Sequence, residues 1–88
     1  MGQARFSQRF PVRDTAARRA LARNVRRLRN ARDLTQDALA DAIESQQIMI
    51  SHIENSRANP ELDTLERIAE ALGVAVVDLF RPGPRTKP

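Results

Sequence analysis

The sequence contains no cysteine, tryptophan or tyrosine and has only three phenylalanines. Without cysteine the chain has no disulfide and no thiolate metal site, which fits a reducing cytoplasm. His52 is the single histidine, so no second histidine could bind a metal together with it. So few aromatic rings leave little to stack on unpaired bases, which argues against RNA as the main partner.

Long apolar runs are also missing. No stretch approaches the roughly 20 residues that cross a membrane, and the N-terminus lacks the apolar segment of a secretory signal. The sequence has no glycine-rich phosphate loop, no paired catalytic carboxylates and no nucleophile set beside a base. We therefore predict a cytoplasmic protein that is not an enzyme, with no cofactor, no metal and no domain for a small-molecule effector.

Charge is distributed unevenly along the 88 residues. Residues 1–34 hold ten Arg and two Asp, a net charge of +8, whereas residues 35–80 hold two Arg and nine acids, a net charge of −7. A basic half in a small protein indicates a polyanionic partner such as nucleic acid. The alternative is a helix whose charges only face solvent. The acidic residues 35–80 exclude a protein that contacts nucleic acid through a uniformly basic surface.

Apolar residues recur at helical spacing in several segments. The predicted helices are about 15–32, 36–43, 47–55, 62–72 and a short last one at 76–80. Gly73 stands where a glycine ends a helix. The sequence thus predicts an all-α domain over residues 14–80, between a flexible basic arm at 1–13 and a disordered tail at 81–88 that contains three prolines.

The helices at 36–43 and 47–55 are joined by about three residues, the spacing of a helix-turn-helix. Ala40 is small enough for the two helices to cross closely, and Ile50 and Ile53 provide the inner side of the second helix. The outer side of that helix carries Gln46, Gln47, Ile48, Ser51, His52 and Asn55. Such polar side chains on an exposed helix are the type that contacts base edges in a major groove.

Four segments resemble the Cro/C1-type (XRE) family of helix-turn-helix regulators. They are Leu34-Thr35-Gln36-Asp37-Ala38-Leu39-Ala40, Ile50-Ser51-His52-Ile53-Glu54-Asn55, Asn59-Pro60 and 65–74, LERIAEALGV. The resemblance implies a five-helix lambda-repressor-like DNA-binding domain whose helix-turn-helix is formed by the second and third helices. It also implies a transcriptional regulator that binds double-stranded DNA, such as a phage repressor or a restriction–modification controller.

The resemblance assigns base reading to Gln47, Ile48, Ser51 and His52 on a recognition helix at about 47–55. Gln47 is its first residue, and a planar amide can bind adenine N6 and N7 together. Ile48 suits a thymine methyl, although it would pack inward if the helix were rotated. His52 suits a contact with guanine or with a phosphate. The alternative is a surface residue that faces only solvent.

The resemblance also places a second group of residues on the DNA backbone: Gln36, Gln46, Asn55, Arg57 and Asn59. Gln36 would in addition brace Gln47, and Gln46 would either cap the recognition helix or reach a phosphate. Arg29 and Glu54 resemble a structural pair that ties the first helix to the recognition helix.

Two residues of the turn depart from the family pattern. Glu44 stands where glycine is usual, and a left-handed backbone there would cost about 1 kcal/mol. Ser45 replaces an apolar residue, and the bulky Met49 is positioned to fill the space. We expect an altered turn and a shifted recognition helix.

An apolar cluster near the C-terminus predicts the dimer interface: Val76, Val77, Leu79 and Phe80. A two-fold homodimer would set two recognition helices about 34–36 Å apart, one DNA turn, on a symmetric operator. The acids at 37, 41, 44 and 54 lie near the predicted DNA surface, so we expect each monomer to bind DNA with modest affinity. The alternative is an antitoxin-type module whose main partner is another protein.

Overall fold

The computed structural model describes residues 14–83. The predicted arm at 1–13 and residues 84–88 of the predicted tail lie outside the described residues. The described part is entirely helical, as predicted, and contains no strand. Its elements are α1 (Ala16–Ala31), α2 (Gln36–Ala42), α3 (Gln47–Glu54), α4 (Leu62–Leu72) and a 3-10 helix (Val76–Phe80).

The prediction of five helices is confirmed only in part, because four elements are α-helices and the last is a 3-10 segment of five residues. Ala75 supplies no capping side chain at its start. The carboxylate of Asp78 instead accepts a hydrogen bond from the Ala75 N–H, at 2.9 Å. Pro82 follows shortly after the segment and opposes an extension into a longer helix.

Threonines cap the first two helices. The Arg18 N–H donates to Thr15 Oγ1 at 3.2 Å, and the Ala38 N–H donates to Thr35 Oγ1 at 3.0 Å. Each bond satisfies one of the N–H groups that a helix start leaves without an intrahelical partner. The bounds of α1 and α2 therefore lie within a residue of those expected from the sequence.

Each α-helix is followed by a residue with a left-handed backbone: Asp33, Glu44, Ser56 and Gly73, with φ of 55°, 57°, 60° and 74°. Glu44 thus adopts a left-handed backbone at the position where glycine is usual, at a cost of about 1 kcal/mol. The Ser45 N–H donates to the Ala40 carbonyl at 2.8 Å and closes the turn. These returning bonds satisfy carbonyls that the helix end exposes.

All five elements contribute to one core. Its residues are Leu21, Val25, Leu28, Leu39, Ala40, Ile43, Ile50, Ile53, Leu65, Ile68, Ala69, Leu72 and Leu79. Ala40 lies buried where α2 and α3 meet, as its small size predicts. Within residues 14–83 no helix is long and apolar enough to cross a membrane.

Candidate nucleic-acid interface

The outer side of α3 presents the residues expected to read bases. Gln47, Ile48 and His52 are exposed, and Ser51 is half-buried. Ile48 is 51% exposed, so it does not pack in the core. Ile50 and Ile53 are fully buried on the opposite side and hold α3 against the rest of the domain. The helix thus offers a short row of polar and apolar groups to a ligand.

Behind this surface lies a buried ion pair between α1 and α3. Arg29 Nε donates to Glu54 Oε2 at 2.6 Å, and Arg29 Nη2 donates to Glu54 Oε1 at 3.0 Å. The Glu54 side chain is fully buried, and that of Arg29 is 13% exposed. Two parallel bonds from a guanidinium to a carboxylate hold both partners in a defined orientation.

Glu54 remains charged despite its burial. Burial by itself would raise the pKa of its carboxyl group, but hydrogen bonds from Arg29 and Gln36 and the charge of Arg29 hold the pKa below its usual value. The sequence placed Glu54 among four acids near DNA. Its charge is already neutralised within the protein, whereas Asp37, Asp41 and Glu44 are exposed.

We predict that the stabilisation from Glu54 depends on pH. Because its pKa is lower in the folded protein, this stabilisation is complete above the unfolded pKa of about 4.3 and is lost as pH falls through the folded pKa. Thermal unfolding of the wild type and of Glu54→Gln, which cannot titrate, should differ at neutral pH. The difference should shrink on acidification, and a constant difference would contradict the prediction.

A chain of hydrogen bonds runs from Glu54 to the first residue of α3. Gln36 Nε2 donates to Glu54 Oε1 at 3.0 Å, and Gln47 Nε2 donates to Gln36 Oε1 at 2.6 Å. An ionised carboxylate only accepts hydrogen bonds, so it sets which end of the Gln36 amide faces it. The Gln36 oxygen then faces Gln47 and sets the orientation of the Gln47 amide.

This orientation leaves specific groups of Gln47 for a ligand. One N–H of its amide is used by Gln36, so the carbonyl oxygen and the second N–H are available. One acceptor and one donor on a planar group are what the N6 and N7 atoms of adenine require. A preset orientation also lowers the entropy that Gln47 loses when it binds.

The residues expected on the DNA backbone lie around α3. Gln36 and Gln46 are at its N-terminal end, and Asn55, Arg57 and Asn59 follow its C-terminal end. All are exposed except Gln36, which is half-buried. Gln46 precedes the helix without capping it through its side chain.

The loop after α3 is held against α1. Arg18 Nε donates to the Ala58 carbonyl at 3.2 Å, and Ser56 Oγ donates to the Arg18 carbonyl at 3.5 Å. The Arg57 N–H returns to the His52 carbonyl at 2.8 Å. These bonds restrain the loop from which Arg57 projects.

In the turn before α3, Met49 packs beside Ser45, as the sequence suggested. Ser45 Oγ donates to Met49 Sδ at 3.5 Å, and Met49 is a half-buried neighbour of the core. The longer Met49 side chain therefore occupies the region in which Ser45 offers little apolar surface.

The predicted dimer surface needs correction at one residue. Leu79 is fully buried in the core of its own chain, so it has no surface to offer a partner. Val76 and Phe80 are half-buried, and Val77 is 58% exposed. Three residues of the predicted cluster therefore keep an accessible surface.

Two sets of interactions behind the site were not predicted from the sequence. Arg26 joins the ion pair, since its Nη2 donates to the Glu54 carbonyl at 3.2 Å and its Nε lies 3.5 Å from Glu54 Oε1. Asn24 is buried and donates to the carbonyls of Leu79 and Arg81 at 3.0 and 2.9 Å. The only available signal was the helical register that places Arg26 three residues before Arg29.

Comparison with known proteins agrees with this geometry. The helix-turn-helix family model HTH_3 matches residues 25–79, which include α2, α3 and most of the core. The chain belongs to this family of Cro/C1-type (XRE) helix-turn-helix proteins. Relatives named as transcriptional regulators and repressors point to a DNA-binding regulator rather than to an enzyme.

Individual relatives support the assignment. A Sinorhizobium fredii protein described as an uncharacterized HTH-type transcriptional regulator is 36% identical over 69 residues, 78% of this chain and 90% of the relative. A hypothetical transcription factor from Neisseria superposes with a TM-score of 0.72 at 35% identity, covering 75% of this chain and 76% of that one. A restriction–modification controller from Aeromonas hydrophila superposes with a TM-score of 0.71 at 26% identity, covering 75% of this chain and all of that one.

Proposed function

We propose that this chain is a cytoplasmic transcriptional regulator that binds a two-fold symmetric operator in double-stranded DNA as a homodimer. In this proposal α3 enters the major groove, where Gln47, Ile48, Ser51 and His52 contact base edges. Gln36, Gln46, Asn55, Arg57 and Asn59 contact the sugar-phosphate backbone and set the register. The observation that carries the proposal is the exposed Gln47 amide, oriented by Gln36 and Glu54.

The homodimer is supported by the surface of the 3-10 helix. Val77 is exposed, and Val76 and Phe80 in the same short segment are half-buried, so together they keep an accessible apolar surface on a small domain. A two-fold axis through such a patch would bring two recognition helices onto successive turns of one face of the duplex. Restriction–modification controllers and phage repressors are the family classes that this arrangement fits.

Selection from a pool of randomised duplexes tests the proposal. We expect enrichment of one two-fold symmetric site, bound at least ~10³-fold more tightly than random duplex. Absence of enrichment, with binding that is only steeply salt-sensitive, would contradict sequence reading. It would favour the antitoxin-type alternative, in which another protein is the main partner.

We predict that Gln47→Ala flattens the base preference at one symmetric pair of operator positions. Loss of a bidentate contact to a base costs about 1–3 kcal/mol of discrimination, roughly 5- to 150-fold. Repeating the selection with the variant measures the loss. Asp63→Ala, an exposed change at the start of α4, is the control and should leave the selected site unchanged. A loss spread evenly over all positions would contradict the assignment of Gln47.

A further inference from the structure

The side of α1 that faces away from the core is strongly basic. The helix contains six arginines and no acidic residue. Four of them line an open groove and are called here the arginine face: Arg19, Arg23, Arg26 and Arg27. Glu54 and Ser56, at the end of the recognition helix, border the same groove.

Two of these arginines have acidic partners that neutralise them incompletely. Arg19 lies 3.2 Å from Asp14, but both side chains are more than half exposed, and water screens such a pair. Arg26 lies 3.5 Å from Glu54, whose carboxylate is bound more closely by Arg29, at 2.6 Å. One carboxylate thus serves two guanidinium groups.

The other two arginines have no acidic partner among residues 14–83, where no carboxylate lies within 4.0 Å of Arg23 or Arg27. Arg23 Nη2 donates to the Arg81 carbonyl at 3.0 Å, and Arg27 Nη2 donates to Asn24 Oδ1 at 3.2 Å. Neutral acceptors satisfy part of their hydrogen-bonding capacity and leave their charges uncompensated.

The spacing of the arginines adds to this excess. Arg19, Arg23 and Arg27 follow at intervals of four residues, so they form one row of about 12 Å along the helix. Like charges four residues apart destabilise a helix. A row of repelling charges is relieved by a partner that carries regularly repeated negative charges, as a phosphate backbone does.

The row is also adjacent to the proposed DNA surface. Arg26 Nη2 donates to the Glu54 carbonyl at the C-terminal end of α3, at 3.2 Å. The loop after α3, with Arg57, is hydrogen-bonded to α1 through Ala58 and Ser56. The arginine face therefore continues the surface assigned to backbone contacts, beyond the end of the recognition helix.

We propose that the arginine face binds the phosphate backbone of DNA outside the half-site that α3 reads. This inference rests on the proposed DNA binding but does not require sequence reading. It implies that affinity for long DNA includes contacts that a duplex trimmed to the selected site cannot provide.

The test compares two double variants that each remove two positive charges. R23Q/R27Q alters the arginine face, whereas R32Q/R67Q alters exposed arginines elsewhere: Arg67 is in α4, and Arg32 lies over Gly73. Binding to a long random duplex is followed by fluorescence anisotropy between ~50 and ~300 mM salt. Thermal unfolding verifies that each variant folds, and Arg27→Gln alone replaces the double variant if it does not.

We expect R23Q/R27Q to lower the salt slope on the long duplex by about 2, because each lost phosphate contact lowers it by about 0.9. R32Q/R67Q should leave the slope near the wild-type value. On a duplex trimmed to the selected site, R23Q/R27Q and the wild type should have the same slope.

Equal reductions by both double variants would overturn the inference, because net charge alone would then explain them. An unchanged slope with R23Q/R27Q would also overturn it and would favour an acidic protein as the partner of this face. If selection yields no preferred site but the difference between the two variants persists on random DNA, operator reading fails and the inference stands.

Discussion

Glu54→Ala should lower the free energy of unfolding by about 3–4 kcal/mol, the expected cost of removing one partner from a buried ion pair. The substitution leaves the guanidinium of Arg29, 13% exposed, without the carboxylate that accepts its bonds at 2.6 and 3.0 Å. It also removes the carboxylate oxygen that accepts the hydrogen bond from the Gln36 amide. Because the total free energy of unfolding of a small domain is about 5–15 kcal/mol, this loss is a large share of it.

Urea denaturation followed by circular dichroism measures the effect. Glu66→Ala is the matched control, because Glu66 is an exposed acid on α4, and it should change stability by less than about 0.5 kcal/mol. Equal effects of the two substitutions would show that the buried pair contributes no more than a surface acid.

A double variant separates the stability of the pair from its effect on Gln47. R29M/E54M replaces both charges with apolar side chains, which often restores the stability lost by breaking a buried pair. We expect it to recover most of the loss, apart from the bond that Arg29 donates to the Leu34 carbonyl at 2.8 Å. Its base preference should be weaker than that of the wild type, because Gln36 no longer has a carboxylate to orient it.

The helices were predictable because their signals are local. Thr15 and Thr35 are capping residues, and Gly73 has the left-handed backbone expected of it. Apolar spacing within each segment also identified the buried faces of α2, α3 and α4. These features depend on neighbours within four residues along the chain, and a single sequence contains that information.

The last element was predicted less well because its pattern is ambiguous. Over five residues, the apolar spacing of Val76, Leu79 and Phe80 fits a 3-10 helix and an α-helix equally. The pattern also does not say which apolar residue turns inward. Leu79 is the one that does, and its carbonyl accepts a hydrogen bond from Asn24, 55 residues earlier on α1, a contact that no local pattern encodes.

In the candidate site, individual residues were predictable but their connections were not. Gln36, Gln47 and Glu54 stand at family-like positions, so each could be named from the sequence. The carboxylate of Glu54, however, is shared by Arg29, Gln36 and Arg26 across three helices. Long side chains reach such partners by tertiary packing, which no spacing rule encodes.

Val77→Glu should convert the proposed homodimer to a monomer. Val77 is 58% exposed in the single chain, so a carboxylate there stays solvated and should not destabilise the fold. In a two-fold interface built on this segment, residue 77 of each subunit would be buried against the partner, so two carboxylates would be desolvated. Sedimentation velocity at equal protein concentrations measures the change.

DNA binding should weaken with the loss of the dimer. A dimer binds its second half-site as an intramolecular step, which raises affinity for the whole operator by about 10²–10⁴-fold. Val77→Glu should lose at least ~10² of this on a two-half-site duplex. Its affinity for a single half-site should match that of the wild type, because Val77 lies outside α3 and its flanking loops.

Leu62→Glu is the matched control for Val77→Glu. Leu62 is 74% exposed at the first position of α4, and an acid suits the start of a helix. The control should sediment and bind operator as the wild type does. If Val77→Glu remained dimeric, the 3-10 helix would not form the interface. If Leu62→Glu alone produced monomers, the dimer would form through the start of α4, and the spacing of the two recognition helices would have to be derived again from that axis.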